Sequence, residues 1–273
     1  MLESAAVESF IYDRMSRYEE SHWWFRARRD ILVAVVRRWA PMGGRILDAG
    51  CGTGFIAQML RNDYRLTVTD SAPEAVRLSA KRGLATSQAS LTQLPFASNS
   101  FDLVSCFDVL YHRAASPLAT TLGEIHRVLR PEGILVTAEP AYQWLFGEGD
   151  ILDHARERFT AAGLSDRLRE AGFDVRKAGY FNTYLAPAII GKRLMRRGWL
   201  RVWPWAKPST EFGATAEPMN RLLEAIFIAE KSRVVRGGFP FGVSVICVAQ
   251  TRREDVSPEG VESADRRQVT SKL

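Results

Sequence analysis

Short apolar runs alternate with amphipathic helical patterns along most of the chain. The runs have the length of buried strands, and the segments between them repeat their apolar residues with the period of a helix. Strands that alternate with helices form a mostly parallel sheet whose crossover connections are right-handed. The pattern therefore predicts an α/β fold. The predicted strands are 45–49, 66–69, 84–88, 101–107, 133–138, 173–178 and 243–249, and the predicted helices 30–39, 56–63, 73–82, 117–129 and 159–171.

Residues 182–238 interrupt this alternation with helical patterns near 184–197 and 218–233. We predict that they form a helical cap inserted before the last strand. The core then comprises residues 45–181 and 239–250, preceded by an N-terminal helical lid, residues 1–44. Residues 251–273 are polar and balanced in charge, which is typical of a disordered tail.

Length and charge limit the class of protein. A chain of 273 residues with 46% hydrophobic content suits one elaborated domain. The net charge of +6 is concentrated in residues 181–210, which contain six basic residues and no acid. A nucleic-acid reader usually carries a recognisable module or a long basic surface, so we expect no nucleic-acid partner, with RNA or DNA methylation as a minor alternative.

The compartment is expected to be cytoplasmic. Acidic residues stand where a secretory signal would carry basic ones, and the apolar stretch 178–191 is too short to span a membrane. Three cysteines at distant positions favour reduced thiols and show no metal-ligand spacing, so no metal is predicted. The last three residues, Ser271, Lys272 and Leu273, match a peroxisomal signal or do so by chance.

A glycine-rich turn follows the first predicted strand and carries Gly50, Gly52 and Gly54. Glycines at such a turn let the backbone approach a ligand closely. Asp70 ends the next strand, where a carboxylate accepts hydrogen bonds from the ribose hydroxyls of an adenosine. These two features also suit a nicotinamide-dependent oxidoreductase.

Four further features distinguish these alternatives. They are Asp48 before the glycines, Leu-Pro-Phe-Ala-Ser-Asn-Ser-Phe-Asp-Leu-Val at 94–104, Val-Leu-Tyr-His at 109–112, and Glu-Ile-His-Arg-Val-Leu-Arg-Pro-Glu-Gly at 124–133. With them the chain resembles the class I methyltransferases, in particular the group that includes ubiquinone and menaquinone biosynthesis methyltransferases. The resemblance is strong over 45–139 and looser over 12–178. It implies a Rossmann-like fold and S-adenosylmethionine as cofactor.

The resemblance also implies positions for the parts of that cofactor. The glycine turn, with Cys51 in it, holds the methionine part, and Asp70 holds the ribose. Ser90 stands where the family usually has an aspartate, which makes the adenine contact weaker or water-mediated. Asp48 has a structural alternative, in which it satisfies backbone amides of the turn. The remaining implied cofactor contacts are Ser71, Ala72, Leu91, Phe107 and Asp108.

The sequence identifies the residues that bind the methyl acceptor less clearly than those that bind the cofactor. S-adenosylmethionine is already activated, so the enzyme mainly aligns the acceptor and excludes water. If the acceptor is a hydroxyl or a carbon acid, His112 is the candidate general base, and its alternative is a packed structural histidine. Tyr111, Glu139 and Tyr142 are the further candidates for contact with the acceptor, because they follow the fourth and fifth strands.

Aromatic and basic residues mix in two segments outside the core. His22, Trp23 and Trp24 are predicted to seal the acceptor site, with Arg26 or Arg29 reaching a carboxylate or phosphate; packing onto the sheet is the alternative. Residues 192–207 suit peripheral membrane contact or an apolar anionic substrate, or else a cap whose arginines face solvent. The predicted function is methylation of a small-molecule acceptor, with O-methylation favoured and oligomeric state open. A noncatalytic binding protein is the alternative.

Overall fold

The computed structural model describes residues 12–202, 205 and 215–252. A seven-stranded sheet has the order β3-β2-β1-β4-β5-β7-β6, and β7 alone runs antiparallel to its neighbours β5 and β6. This confirms the predicted α/β, Rossmann-like fold. The strands are β1 (Arg45–Ala49), β2 (Arg65–Asp70), β3 (Ala85–Gln88), β4 (Phe101–Phe107), β5 (Leu129–Pro140), β6 (Phe173–Phe181) and β7 (Ser244–Thr251).

The helices follow the predicted alternation at all but one position. They are α1 (Trp23–Trp39), α2 (Pro73–Lys81), α3 (Leu118–Val128), α4 (Glu148–Leu152), α5 (Ala161–Glu170), α6 (Ala186–Val202), α7 (Glu217–Ile228) and α8 (Lys231–Val235). The start of α1 is set by His22, whose Nδ1 accepts a hydrogen bond from the Trp24 amide and so caps the helix. The helix predicted at 30–39 is therefore too short, because the observed helix begins at Trp23.

The predicted helix at 56–63 is wrong. The structure has only a 3-10 turn, Ala57–Met59, because the amides of Met59 and Leu60 bond to carbonyls three residues back. Asn62 and Asp63, which favour helices poorly, end the segment just before β2.

The central sheet separates two hydrophobic cores. Alternate residues of β1 point to opposite faces, so that Ile46 packs with α1 whereas Leu47 packs with α3 and α5. Phe181, at the end of β6, lies in the same core as α1 and stacks on Phe227 of α7 with 6.1 Å between ring centroids. One face of the sheet is thus covered jointly by α1 and the inserted helices.

The insertion is tied to the start of α1 by polar contacts. Asn220 of α7 accepts a hydrogen bond from the Trp23 amide at 2.8 Å and donates one to the Ser21 carbonyl at 2.7 Å. Arg26 pairs with Glu224 at 3.1 Å. These contacts place α7 against the N-terminal part of α1, close to the edge of the sheet where β1 and β4 end.

Helix α6 turns several arginines toward the loop after β5. Arg196 pairs with Glu148 at 3.0 Å, and Arg193 and Arg197 donate to carbonyls of that loop. Leu194 and Met195 are 52% and 72% exposed. Of the segment 192–207, residues 203, 204, 206 and 207 lie outside the described residues, as do residues 1–11 of the predicted lid and 253–273 of the predicted tail. None of the described helices has the length and apolar content needed to cross a bilayer.

Candidate active site

The glycine turn after β1 is shaped by two glycines that pack tightly against their neighbours. Gly50 and Gly54 have positive φ angles of 79° and 77°, which favour glycine. A Cβ atom on Gly50 would lie 2.4 Å from Val109 Cγ2, and one on Gly54 would lie 2.7 Å from Leu84 Cδ1. The side chain of Val109 therefore brings the loop after β4 directly against the turn.

Gly52 differs from these two because a Cβ atom there would not clash with any neighbour. Its φ is +55°, and a Cβ there would meet only Tyr12 Cε1 at 3.9 Å and Met15 Cε at 4.0 Å. Both contacts come from a helical segment, residues 12–18, that lies over the turn. Gly52 is thus the glycine of the turn that faces the covering segment and not the tightly packed side chains beside Gly50 and Gly54.

Asp70 lies at the end of β2 with its carboxylate aimed at the same turn. One oxygen accepts from the Gly52 amide at 2.9 Å and the other from the Ala72 amide at 3.0 Å, while the Tyr12 hydroxyl lies at 3.5 Å. Burial raises the pKa of Asp70, and the hydrogen bonds that the backbone amides donate to its carboxylate oppose that rise. The Ser71 amide also faces the carboxylate, so its roughly four acceptor positions are taken by three amides and the Tyr12 hydroxyl, and a ligand hydroxyl would take the place of Tyr12.

Asp48 is buried beneath the turn and bonds across the sheet. Its Oδ1 accepts from the Ser105 hydroxyl of β4 at 2.6 Å. The partner is thus a side chain, rather than the backbone amides of the structural alternative. Burial raises the pKa of Asp48 to about 6, against the effect of the Ser105 hydrogen bond, and burial also raises that of the Cys51 thiol. A bound cation would relieve part of this cost of burying carboxylates.

The residues assigned to the adenine lie beyond β3 and are open to solvent in part. Ser90 is exposed, and its hydroxyl lies 2.8 Å from that of Thr92. Leu91 is buried and offers an apolar surface beside it. Ser71 is exposed, and its carbonyl accepts from Gln88 of β3. Ser90 and Leu91 follow the carboxyl end of β3, one strand further from β1 than Asp70, whereas Ser71 directly follows Asp70 at the end of β2.

Glu139, at the end of β5, holds the loop that follows β4. Its carboxylate accepts from the amides of Leu110 at 3.1 Å and Tyr111 at 3.3 Å, and from the Thr137 hydroxyl at 3.1 Å. The residue is completely buried, and burial raises its pKa to about 8. In the structure its carboxyl group is directed at the loop backbone, and the contact of Glu139 with the acceptor stays a prediction.

The loop held by Glu139 carries Tyr111 and His112. Tyr111 is buried, and its ring centroid lies 4.1 Å from that of His112. Burial lowers the pKa of His112 to about 4, although carbonyls near the ring oppose this. His112 is therefore neutral near pH 7 and a weak base. Phe107, the last residue of β4, is buried below this loop.

An ion pair that the sequence analysis missed lies beside the same loop. Arg28 Nη2 is 2.7 Å from Asp108 Oδ2, and the Arg28 side chain is only 3% exposed. The sequence pattern favoured Arg26 and Arg29 instead, but Arg26 pairs with Glu224 and Arg29 with Asp30. The available signal was the spacing of four residues between Trp24 and Arg28, which places both on one face of α1.

The aromatic residues ahead of β1 divide into different roles. His22 is the cap of α1, and Trp23 packs edge-on against Phe227 with 6.1 Å between centroids. The segment that covers the glycine turn precedes them. It is fastened by Glu19, which is 1% exposed and hydrogen-bonded to Thr53 and Arg82.

Tyr142 follows β5 and lies toward β7 and β6, away from the glycine turn that follows β1. Its ring stacks on Tyr180 at 5.1 Å and on Phe241 at 5.4 Å, both from the β6 and β7 region. Burial and the hydrogen bond with Tyr180 raise its pKa. The structure therefore groups Tyr142 with an aromatic stack and not with Asp70.

The donors and acceptors around the turn fit S-adenosylmethionine. A Cβ at Gly52 would meet no atom closer than 3.9 Å, a ligand hydroxyl would take the place of the Tyr12 hydroxyl at Asp70, and the buried carboxylates favour a positively charged ligand. Within the described ranges, no group of three or more His, Cys, Asp or Glu side chains is placed to hold a metal ion.

Comparison with known sequences agrees with this geometry. Residues 47–137 match a family described as a methyltransferase domain. The chain carries a class I methyltransferase domain. The match begins in β1 and ends in β5, so this domain contains the glycine turn, Asp70 and the loop after β4. The prediction of a class I methyltransferase is confirmed, and the narrower resemblance to ubiquinone and menaquinone biosynthesis methyltransferases stays a prediction.

The chain is similar to proteins that are described with different activities. YodH of Bacillus subtilis, an uncharacterized methyltransferase, is 43% identical over 40% of this chain and 48% of its own length. The rat mitochondrial arginine-hydroxylase NDUFAF5 is 32% identical over 69% of this chain and 55% of its own. The malonyl-[acyl-carrier protein] O-methyltransferase of Laribacter hongkongensis is 33% identical over 50% and 52%. The chain thus spans about half the length of these curated relatives.

Solved structures show the same fold. A S-adenosylmethionine-dependent methyltransferase from Thermotoga maritima, described as a possible histamine N-methyltransferase, superposes with a TM-score of 0.56 at 17% identity, covering 90% of this chain and all of that one. At this identity the likeness concerns the fold alone.

Proposed function

We propose that this protein transfers the methyl group of S-adenosylmethionine to a hydroxyl oxygen of a small-molecule acceptor. The observation that carries the proposal is the pairing of Gly52 with Asp70. Gly52, whose Cβ position meets no atom closer than 3.9 Å, donates its amide to the Asp70 carboxylate, where a ribose hydroxyl would take the place of the Tyr12 hydroxyl. The family match, and the O-methyltransferase among the relatives, support the transfer and the oxygen acceptor.

The bound cofactor supplies a methyl group on a positively charged sulfur, so the protein's task is mainly alignment. We assign the acceptor to the space above the carboxyl ends of β4 and β5, where Glu139 fixes the loop that carries Tyr111 and His112. His112 is neutral and weakly basic, so it accepts a hydrogen bond from the acceptor hydroxyl and takes the proton only as the bond to the methyl group forms.

The elements outside the methyltransferase domain select the acceptor and exclude water. Residues 12–22 lie over the glycine turn, and helix α7 of the insertion closes the neighbouring side through its contacts with α1. We place the protein in the cytoplasm, where both the cofactor and small metabolites are available, without a nucleic-acid partner.

Calorimetric titration tests the proposal directly. The protein is titrated with S-adenosylmethionine, with S-adenosylhomocysteine and with NADH as the control ligand. Asp70→Asn removes the charge that the ribose hydroxyls bind, and the expected affinity loss is about 10-fold to 100-fold, from roughly 1.5–3 kcal/mol for a charged hydrogen bond. Asp63→Asn is the matched control, because Asp63 lies in an exposed pair with Arg37.

The result that would overturn the proposal is equal binding of both adenosyl ligands by the two variants, or binding of NADH in their place. Micromolar binding of the adenosyl ligands by the wild-type protein leads to the second stage. In that stage, labelled methyl transfer is measured against hydroxylated metabolites, and transfer to carbon or nitrogen alone would contradict the assignment of oxygen as acceptor.

A further inference from the structure

Arg28 carries hydrogen-bond donors that the described part of the chain does not satisfy. The residue is 2% exposed, and its Nη2 is paired with Asp108. Its Nε and Nη1 atoms have no acceptor among the described residues. A buried guanidinium normally has its donors paired, because unpaired buried donors carry a desolvation cost. This arrangement therefore points to an acceptor that comes from outside the protein.

Two aromatic rings fix the guanidinium in position. The Arg28 Cζ atom lies 5.1 Å from the ring centroid of Trp24 and 5.0 Å from that of Phe181. Rings at this distance attract the cation and exclude water from it. The group is thus held in one place before any ligand binds.

Asp108 is equally constrained and lies beside the glycine turn. Its φ is +54°, in the left-handed region that non-glycine residues seldom adopt, and its amide donates to the Ala138 carbonyl at 2.8 Å. The next residue, Val109, packs against Gly50. The Arg28–Asp108 pair is therefore located where β1 and β4 end.

The strand order gives the distance between this pair and the ribose site. Asp70 ends β2, the glycine turn follows β1, and Asp108 follows β4, and these three strands are neighbours in the sheet. With neighbouring strands ~4.8 Å apart, the carboxyl ends of β2 and β4 are separated by roughly 10 Å. A ligand with its ribose at Asp70 and its chain along the turn reaches β4 with its far end.

The far end of S-adenosylmethionine is an α-amino acid, which carries a carboxylate and an ammonium group on one carbon. We propose that Arg28 and Asp108 bind this end of the cofactor, Arg28 donating to the carboxylate and Asp108 accepting from the ammonium. The inference rests on the proposed function and deepens it. A side-by-side pair of opposite charges matches a zwitterion, whereas a simple anion would meet repulsion from Asp108.

Three ligands separate the parts of the cofactor in a binding titration. They are S-adenosylmethionine, its decarboxylated form, which lacks the carboxylate and keeps the amine, and methylthioadenosine, which lacks the whole amino-acid end. Arg28→Met is expected to weaken binding of S-adenosylmethionine by about 10-fold to 100-fold and of methylthioadenosine by less than about twofold. Its effect on the decarboxylated form is expected to be equally small.

Two further variants keep the experiment decisive. Arg38→Met removes an exposed arginine from the same helix and is expected to leave all three affinities unchanged. Asp108→Asn is expected to weaken the two amine-bearing ligands and spare methylthioadenosine, which tests the site even if Arg28→Met does not fold.

The inference is overturned if the wild-type protein binds S-adenosylmethionine and methylthioadenosine equally well, or if Arg28→Met weakens all three ligands to the same extent. The first result leaves adenosine binding intact, so the proposed function survives it. Failure of the wild-type protein to bind any of the three would instead contradict the proposed function.

Discussion

Replacement of Gly52 by alanine separates the role of this glycine in ligand binding from its role in folding. In the structure the new Cβ would make only ordinary van der Waals contacts, at 3.9 and 4.0 Å. The cost to folding is therefore the strain of alanine at φ +55°, about 1–2 kcal/mol. Gly43 is a matched control, because its φ is +66° and a Cβ there has no atom within 4 Å.

The two variants are thus expected to lose equal stability and to differ in affinity. For a protein of this size, the strain corresponds to a decrease in melting temperature of roughly 2–8 °C in both. In Gly52→Ala the methyl group also occupies the surface that the cofactor would contact. Such overpacking costs about 1–3 kcal/mol, or roughly a 5-fold to 150-fold loss of affinity. In Gly43→Ala the affinity is expected to be unchanged.

Thermal unfolding and calorimetric titration with S-adenosylhomocysteine measure the two effects on the same samples. If the two variants melt at the same temperature and only Gly52→Ala loses affinity, the result supports a direct contact between the Gly52 backbone and the ligand. If Gly52→Ala binds within twofold of Gly43→Ala, the turn does not approach the ligand at Gly52 and the reasoning fails.

Two further changes test the loop after β4 and the cap. Because the folded protein raises the pKa of Glu139 from 4.5 to about 8, it binds that proton more tightly than the unfolded chain, so this contribution to stability falls as pH rises from about 4.5 to 8. Glu139→Gln should flatten that dependence in urea unfolding, and an unchanged slope would contradict the raised pKa. Asn220→Ala removes two buried hydrogen bonds to the start of α1 and should cost about 1–3 kcal/mol, whereas the exposed Arg221→Ala should cost less than about 0.5 kcal/mol; equal costs would refute the role of Asn220 as the link.

The sheet and the ligand turn were predictable because their signals are local. Each strand is a short apolar run, and β1 and β4 match their predicted bounds. The positions of Gly50 and Asp70 follow from where the first two strands end, since parallel strands bring their carboxyl ends to one edge. The strand pattern alone therefore predicts that the glycine turn and Asp70 lie at one site.

The helical segment near residue 57 was not predictable in the same way, because the sequence pattern does not record competing hydrogen bonds. Arg82 donates to the Thr53 carbonyl and to the Gln58 side chain, which fixes the segment from outside. That interaction depends on the position of α2, which ends next to it. A tertiary contact thus overrides a weak helical preference.

Arg28 and Glu139 show why the rest of the site required the structure. Both are ionisable residues whose polar partners are remote in the chain. The spacing of Trp24 and Arg28 places both on one face of α1, but no local pattern shows that Arg28 is buried against Asp108 or that Glu139 binds the loop backbone. Arg28 lies between Trp24 and Phe181, 153 positions further on, and Glu139 binds amides about 30 positions earlier. Burial is what gives each charge its role, because a buried guanidinium or carboxylate must find a partner, whereas an exposed one is satisfied by water. The charged residues of the site with the strongest structural constraints are therefore the ones that a reading of local patterns finds last.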